Sequence, residues 1–482
     1  MAPTEPAMAA PTTAPTPPSQ PPHFILVPFV AQGDIIPLVD LALLLAERGA
    51  RATVVTTPLN AARQRRVAEH AARRRVLLEF VELPFPPPGS VLPPDCQNAD
   101  ILTDVAQFIP FFFELRDLAT PFDAYVRSLT PRASCVISDW CNPWTASVAR
   151  SLGIPWEEEE KRYDVPGMPV PVTVTKATAP GFFNHPATLV LRDEAMETMR
   201  TADGMVVNTF VELEHQFVEC YEKALGKPVW TLGPLSLCNR DAEAMATRGK
   251  TATVGKEAIT AWLDGQAPGS VVYVSFGSIA RKLPKQLFEV GHGLEDSGVP
   301  FLWVVKEHEV DASPEVREWL EALESRTAGR GHVARGWVPQ LAVLSHLAVG
   351  GFVTHCGWNS LLVSIAHGVP VVTWPHFADQ FINEQLAVDV LGVGVRVGVT
   401  SPVMLFGDEA VVVAREDVAK VVSALMGGGM EADERRKKAR EYGEKARRAM
   451  EEGGSSYGNL TRLIESFSRP EPEVKEQLKL HG

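Results

Sequence analysis

Several features that would point to particular classes of protein are scarce in this sequence of 482 residues. Its six cysteines are scattered, and no two have the two-residue spacing of a metal clip or redox pair, which favours a reducing compartment. No run approaches the roughly 20 apolar residues that a membrane-spanning helix needs. Aspartate and glutamate (59) outnumber lysine and arginine (46), and the net charge of −13 argues against a nucleic-acid partner. We therefore expect a soluble, cytoplasmic protein that binds neither membranes nor nucleic acid.

The two ends of the chain differ from the rest in composition. Residues 1–22 contain no aromatic or basic side chain and no apolar core segment, so they resemble neither a signal peptide nor an Arg-rich transit peptide. Their Pro, Ala and Thr content predicts a disordered tail. We expect a second tail over 469–482.

Between the tails, short Val/Ile/Phe-rich segments alternate with helical patterns. "HFILVPF", "ARATVVTTP", "VLLEFVELPF" and "ASCVISDW" predict buried strands, and the alternation resumes later with "SVVYVSF", "PFLWVVK", "GGFVTH", "VPVVTWP" and "GVGVRVG". This pattern predicts an α/β fold of two doubly wound halves that face each other across a cleft. We expect an N-terminal domain over 23–240, a linker over 241–257 and a C-terminal domain over 258–468.

Ligands of open parallel sheets bind beyond the carboxyl ends of the strands, so the residues that follow strands are the candidates for chemistry. Three segments fit: "AQGD", "SDWCNPW" and "THCGWNS". The last is a turn between a strand and a helix, and the free N–H groups of a helix N-terminus suit a phosphate. A simple capped turn is the alternative interpretation. "GVGVRVG" follows a helix and enters a strand, which is the wrong order for a dehydrogenase fingerprint.

The segment "WVPQLAVLSHLAVGGFVTHCGWNSLLVSIAHGVPVVTWPHFADQ", from Trp337 to Gln380, resembles the nucleotide-sugar signature of plant UDP-dependent glycosyltransferases without a gap. Similarity continues in "TTPLNAAR", "VVNTFVELE", "VYVSFGS" and "GGSSYGNL". The resemblance implies the two-domain GT-B fold. It also implies a monomer that uses a UDP-sugar donor and a small-molecule acceptor, with no metal or other cofactor.

The resemblance also implies roles for individual residues. Trp337 would stack on uracil and Gln340 would contact the ribose. The diphosphate would be held by Ser278, His355, Asn359 and Ser360, and the sugar by Asp379 and Gln380. Gln380 at the last position resembles members that use UDP-glucose. The predicted UDP-sugar site is completed by Val338, Gly357 and Trp358.

The acceptor side departs from the family pattern at its expected base. Family members transfer the sugar with inversion, and a histidine in the first strand-to-helix turn takes the acceptor's proton while an aspartate holds it. The aspartate matches Asp139, but the histidine position is Asp34. A carboxylate is a weaker base than an imidazole by about 2.6 pKa units at reference values. Asp34 is also typical of a helix start, where its charge favours the helix dipole, and this structural interpretation stands beside the catalytic one.

Two further departures affect the binding of both substrates. Val363 stands where the family usually has a glutamate that receives the ribose hydroxyls. The chain also looks shortened after "SLGIPW", and we expect that the glutamates over 157–160 cannot form a buried strand because unpaired buried charge is too costly. Phe108 and Phe112 are candidates for the remaining acceptor wall, although an aromatic run at this spacing is more typical of core packing.

The leading hypothesis is a UDP-glucose-dependent glucosyltransferase that acts on a flavonoid or another small phenol or carboxylic acid. The alternative is an impaired relative that at most binds nucleotide sugar weakly, because the base, a ribose contact and an acceptor wall all depart from the pattern.

Overall fold

The computed structural model describes residues 21–85, 92–93, 96–102, 107–139, 141–151, 156–159, 189–238, 256–278, 284–311, 313–400, 402 and 413–468. In those ranges no helix is both long enough and apolar enough to span a bilayer. The predicted tails lie outside the described residues except for 21–22, and so does the predicted linker except for 256–257.

The first sheet has seven strands, all parallel, within the described ranges. One interior strand, with the sequence "HFILV", is buried along its whole length, as is typical of a parallel sheet that helices cover on both faces. In spatial order the strands are β3 (Leu78–Glu82), β2 (Arg51–Thr56), β1 (His23–Val27), β4 (Cys135–Asp139), β5 (Trp156–Glu159), β6 (Gly204–Val207) and β7 (Val229–Thr231).

A second parallel sheet of six strands follows within the described residues. In spatial order the strands are β10 (Gly331–Arg335), β9 (Phe301–Val305), β8 (Val271–Ser275), β11 (Val349–Thr354), β12 (Val371–Thr373) and β13 (Gly394–Arg396). We call residues 21–238 the first half and residues 256–450 the second half. Two doubly wound sheets confirm the predicted α/β class, and β6, β7 and β10 are strands that the sequence pattern did not indicate.

Helices cover the faces of both sheets, and their apolar sides form the buried clusters on either side of each sheet. Those of the first half are α1 (Gln32–Glu47), α2 (Pro58–Arg63), α3 (Arg65–Arg74), α4 (Phe108–Leu115), α5 (Ala119–Ser128), α6 (Trp144–Ser151), α7 (Leu189–Thr201) and α8 (Val211–Leu225). Those that follow are α9 (Lys256–Asp264), α10 (Pro284–Ser297), α11 (Glu307–Val310), α12 (Pro314–Arg326), α13 (Gln340–Leu344), α14 (Trp358–Ala366), α15 (Gln380–Gln385), α16 (Arg415–Met426), α17 (Met430–Met450) and α18 (Ser455–Ser466).

The glutamate run, which we expected not to form a buried strand, does contribute to a strand. Residues Trp156–Glu159 form β5, which pairs with β4 on one side and with β6 on the other. The ladder is made by backbone N–H and C=O groups, which glutamate supplies as any residue except proline does. The argument from side-chain charge concerned burial and did not address this pairing. Glu160 and residues 161–188 lie outside the described residues.

The last helix, α18, returns to the first half. Its buried Asn459 donates from Nδ2 to Oγ1 of Thr231 at 2.7 Å and to the Thr231 carbonyl oxygen at 3.0 Å, both on edge strand β7. Just beyond the helix, Phe467 makes an edge-to-face contact with Phe24 of β1, with ring centroids 6.1 Å apart. Residues 455–468 therefore pack on the first sheet although they follow the whole second half in sequence.

Candidate functional site

The site lies where the strand order of each sheet reverses. In the first sheet β1 is flanked by β2 and β4, and in the second β8 is flanked by β9 and β11, so crossovers leave a crevice at the carboxyl ends of these strands. The first turns of α1 and the loops that follow β8 and β11 line one cavity of about 400 Å³. That volume is within the usual range for a small-molecule site.

Every residue that the signature assigns to the UDP-sugar lines this cavity, and Asp34 lines it from the first half. The predicted residues in its wall are Asp34, Ser278, Trp337, Val338, Gln340, His355, Gly357, Trp358, Asn359, Ser360, Asp379 and Gln380. The apolar Val363 also lines it, and its side chain is 4% exposed. The structure therefore brings together residues that are spread over nearly 350 positions of the chain.

The turn after β11 is held tightly around His355. A Cβ atom on Gly277 would lie 2.5 Å from Cε1 of His355, and one on Gly357 would lie 2.5 Å from its Nε2. Gly277 has φ +73°, a left-handed conformation that glycine adopts without strain. The imidazole is thus clamped between two glycines, which set its position at the end of the strand.

The same turn leads into α14, whose first residues, Trp358, Asn359 and Ser360, line the cavity. Gly357 is the residue before the helix, and Leu361 N–H donates to the Gly357 carbonyl oxygen at 3.0 Å. The earlier N–H groups of the first turn have no helical partner and carry partial positive charge, so they suit an anion. Burial raises the pKa of the neighbouring Cys356 thiol well above its usual value, so this cysteine is a neutral packing group.

Asp379 and Gln380 form another part of the wall and are both buried. The Gln380 Oε1 accepts from the backbone N–H groups of His376 at 2.8 Å and Phe377 at 3.2 Å. Its oxygen is thus used to hold the preceding turn, and only the amide nitrogen remains to contact a ligand. Ser360 and Gln340 meet nearby, with 3.4 Å between Oγ and Oε1.

Asp34 is the third residue of α1 and is half-buried. The residue that precedes the helix is Ala31, which has extended backbone and makes no side-chain cap. Asp34 therefore is not the capping residue, although its charge lies in the first turn and favours the helix dipole.

Asp139 ends β4 beside β1 and is 2% exposed. Its Oδ1 accepts from the backbone N–H of Cys141 at 2.8 Å, which shapes the turn that leads to α6. The described wall of the cavity does not include it. Its role as the partner of Asp34 therefore stays a prediction.

Phe108 and Phe112 lie on α4 and pack against the buried cluster of the first half. The Phe112 ring stacks on Phe29 with centroids 5.3 Å apart and an interplanar angle of 7°. Among the described residues neither phenylalanine lines the cavity. Their proposed contact with an acceptor also stays a prediction.

The two halves contact each other at the candidate site. Asn359 donates from Nδ2 to the Gly33 carbonyl oxygen, and its Oδ1 accepts from Nδ2 of Asn208 at 3.2 Å. The indole N–H of Trp358 donates to the Asn208 carbonyl oxygen at 2.9 Å. Two adjacent residues of α14 are thus tied to the first turn of α1 and to the loop that follows β6.

The sequence analysis missed several polar residues of the cavity wall: Gln32, Asp100, Lys306 and His308. Gln32 and Lys306 lie just after β1 and β9, so the rule that function follows strands could have found them. Asp100 belongs to no strand-to-helix turn, and it pairs with Arg63 at 3.2 Å. No local pattern in the sequence points to it.

Comparisons with known proteins agree with this geometry. A family model described as "UDP-glucoronosyl and UDP-glucosyl transferase" matches residues 243–405. UDP-glycosyltransferase 73C3 of Arabidopsis thaliana is 39% identical over 478 residues, which cover 92% of this chain and 96% of the relative. The structure of Glycyrrhiza uralensis UGT73P12 complexed with glycyrrhetinic acid 3-O-monoglucuronide matches with a TM-score of 0.85 at 34% identity, over 93% of this chain and 96% of that chain. Arabidopsis thaliana UGT89C1 complexed with UDP-L-rhamnose matches with a TM-score of 0.76 at 27% identity, over 94% of this chain and 100% of that chain.

Proposed function

The chain belongs to the UDP-glycosyltransferase family, and from this premise we propose that it transfers glucose from UDP-glucose to a small apolar acceptor such as a flavonoid, another phenol or a carboxylic acid. One observation carries the proposal: donor-site residues of the second half and a carboxylate of the first half line a single cavity. A donor held by the residues of the second half would present its anomeric carbon towards the Asp34 carboxylate.

The donor would be held along the wall of the second half. The flat face of Trp337 suits the uracil ring, and the N-terminus of α14 with His355 suits the diphosphate. Asp379 and the amide nitrogen of Gln380 would contact the hydroxyls of the sugar. Gln380 is the reason for proposing glucose, so the test includes other UDP-sugars.

The reaction would be a direct displacement. The acceptor oxygen attacks the anomeric carbon, the bond from that carbon to the diphosphate oxygen breaks, and UDP leaves with the bonding electron pair. The configuration at the carbon inverts, and the acceptor proton passes to Asp34. Charge that develops on the diphosphate would be stabilised by the N–H groups of α14, which are already oriented before the reaction.

Transfer of the acceptor proton to a carboxylate is the step with the least favourable free energy. From a phenol of pKa ~10 it is uphill by about 6 units to an aspartate, against about 3.5 to an imidazole, at reference values. The difference corresponds to about 3.5 kcal/mol, or two to three decades in rate. Acidic phenols and carboxylic acids need the base least, so we propose that activity is biased towards them. Repulsion between Asp34 and an anionic acceptor opposes this bias for the carboxylic acids.

A second function is favoured by the nature of two residues in the cavity wall: an impaired relative that binds nucleotide sugar weakly. Asp34 is a poor base, and the apolar Val363 offers no hydrogen bond to the ribose. Hydrogen bonds to charged groups contribute around 1.5–3 kcal/mol, so donor affinity would be about ten- to hundredfold lower than with a glutamate.

The deciding experiment is UDP release from UDP-glucose, UDP-glucuronic acid and UDP-L-rhamnose across a panel of phenols and carboxylic acids. Asp34→His and Asp34→Asn run beside the unchanged protein. We expect acceptor-dependent turnover with UDP-glucose, a modest gain for Asp34→His and a loss of about a hundredfold or more for Asp34→Asn. If all three proteins are folded and silent, the impaired relative is the correct interpretation. If another UDP-sugar is preferred, glucose is the wrong donor.

A further inference from the structure

One buried amide links the two segments that would hold the sugar and the diphosphate. Asn383 lies on α15 and is 6% exposed. Its Nδ2 donates to Oδ2 of Asp379 at 2.8 Å and to the Cys356 carbonyl oxygen at 2.9 Å. Both hydrogens of the amide are thus used, one on each segment, and these segments are more than 20 residues apart in sequence.

Both segments contain a residue in an unfavourable backbone conformation. Cys356 has φ +64° and Ala378 has φ +55°, and in the described part of the chain only Arg75 joins them as a non-glycine residue with positive φ. A side chain with a Cβ atom is strained in this region and persists there only when its surroundings hold it. Cys356 follows His355, and Ala378 precedes Asp379. The strained residues therefore flank two proposed ligands of the donor, and Asn383 lies between them.

We propose that Asn383 is a positioning residue that fixes the free oxygen of the Asp379 carboxylate towards the sugar, at a set distance from the diphosphate turn. This inference rests on the proposed function, because it takes Asp379 to contact a UDP-bound sugar. A carboxylate held through Oδ2 cannot rotate freely, so Oδ1 is presented in one direction. Contact with a sugar hydroxyl then costs little further ordering.

The role predicts a particular pattern of binding. UDP would contact Trp337 and the turn at His355. The Asn383 side chain reaches that turn only through the Cys356 carbonyl oxygen, and His355 itself is also held between Gly277 and Gly357. UDP-glucose adds the contact to Asp379. Loss of the Asn383 amide should therefore lower the affinity for UDP-glucose much more than the affinity for UDP. A purely structural role would lower both affinities equally or neither.

The test is Asn383→Asp, which keeps the shape and removes both donor hydrogens. Calorimetric titration of the folded protein with UDP and with UDP-glucose should show a loss of about tenfold or more for UDP-glucose and less than about threefold for UDP. The new carboxyl faces Asp379, and two carboxylates in contact resist joint ionisation, so one of them takes up a proton as the pH falls. Lowering the pH from about 8 to about 5.5 should thus restore a donor and recover part of the UDP-glucose affinity in this variant alone.

Asn459→Asp is the matched control. Asn459 is 5% exposed and uses its amide nitrogen for two hydrogen bonds to Thr231, remote from the cavity. It should lower the melting temperature comparably and leave the ratio of the two affinities unchanged. If Asn383→Asp does not fold, Asn383→Ser, which keeps one donor, should show a smaller shift of the same ratio.

An unchanged ratio in the folded Asn383 variants, with the unchanged protein binding UDP-glucose normally, overturns the inference and leaves the proposed function intact. If the unchanged protein binds UDP but gains nothing from the glucose moiety, the proposed donor is wrong, and the inference fails with it.

Discussion

Asn359 of the second half donates a hydrogen bond to the carbonyl oxygen of Gly33, the residue that precedes Asp34 in the first half. The same side chain accepts from Asn208 at 3.2 Å, so one amide joins the start of α14 to the first turn of α1 and to the loop that follows β6. The turn proposed to bind the diphosphate and the carboxylate proposed as base are therefore held in a fixed relation. Correct alignment of the reacting groups depends on such contacts.

Asn359→Ala and Asn208→Ala should have different consequences because only Asn359 lines the cavity. Asn359→Ala removes a proposed ligand contact and the link between the halves, so UDP affinity should fall about tenfold and kcat should also fall. Asn208→Ala removes the bond to Asn359 and a bond from the Leu235 N–H within the first half, but no proposed ligand contact. It should lower kcat several-fold while UDP affinity stays within about twofold. Calorimetry and steady-state kinetics separate the two effects. Equal losses of UDP affinity in both variants would contradict the distinction.

Gly277→Ala should displace His355. The new Cβ would lie 2.5 Å from the imidazole, and φ +73° adds backbone strain. Gly298→Ala is the matched control, because Gly298 has φ +68° but no atom lies within 4 Å of its Cβ position. Both variants should lose about 1–2 kcal/mol of stability from strain. Only Gly277→Ala should also lose UDP affinity, by about tenfold, and equal affinities in the two variants would rule out the clamp.

Val363→Glu should strengthen UDP binding at a cost in stability. Val363 is 4% exposed, so a glutamate there buries a charge that should lower the free energy of unfolding by about 1–3 kcal/mol without ligand. With UDP bound, the carboxylate can accept from the ribose hydroxyls, and affinity should rise about tenfold. Thermal unfolding with and without UDP measures both effects. Val363→Gln, which carries no charge, should gain less, and weaker UDP binding by Val363→Glu would show that the ribose lies elsewhere.

His23 should make the stability depend on pH. Its burial, and then the nearby Arg51, lower the pKa from 6.5 to about 4, while Glu79 opposes this shift. Because the folded pKa lies below the unfolded one, the stabilisation is complete above pH 6.5 and is lost as the pH falls towards 4.

At about pH 5 the loss should amount to about 2 kcal/mol. His23→Gln can keep the contact with Thr53, where Nε2 and Oγ1 are 2.8 Å apart, without the titration. Denaturant unfolding at about pH 7.5 and pH 5 should show a smaller change for the variant than for the unchanged protein. Identical changes would place the acid sensitivity at other groups.

How much of the fold the sequence predicts depends on burial. Strands such as β1 and β8 lie inside a parallel sheet, are buried throughout and are apolar at most positions, so their pattern is unmistakable. Strand β10, with the sequence "GHVAR", lies at an edge of its sheet and is only partly buried, so its pattern is weak. Strand β5 contains three glutamates, and its backbone pairing cannot be read from side-chain hydrophobicity.

The residues of the candidate site also fall into a predictable group and an unpredictable one. Residues from Trp337 to Gln380 could be predicted because they form one continuous signature. The contacts of Asn208 with Trp358 and Asn359 could not, since they join residues about 150 positions apart and exist only after the two halves pack. Asp100 was missed because no local pattern in the sequence points to it, whereas Gln32 lies just after β1 and could have been found. Local patterns predict which segments line a cavity, and the packing of the halves decides which side chains meet there.

The return of α18 to the first sheet affects how this protein could be recombined with its relatives. A chimaera joined once, in the region between the halves, would pair β7 with a foreign α18 and exchange the partners of Asn459 and Phe467. A design with a second junction after α17 would keep residues 455–468 with the sheet on which they pack. The segment to exchange between relatives is therefore internal to the chain. It needs one junction between the halves and a second junction after α17.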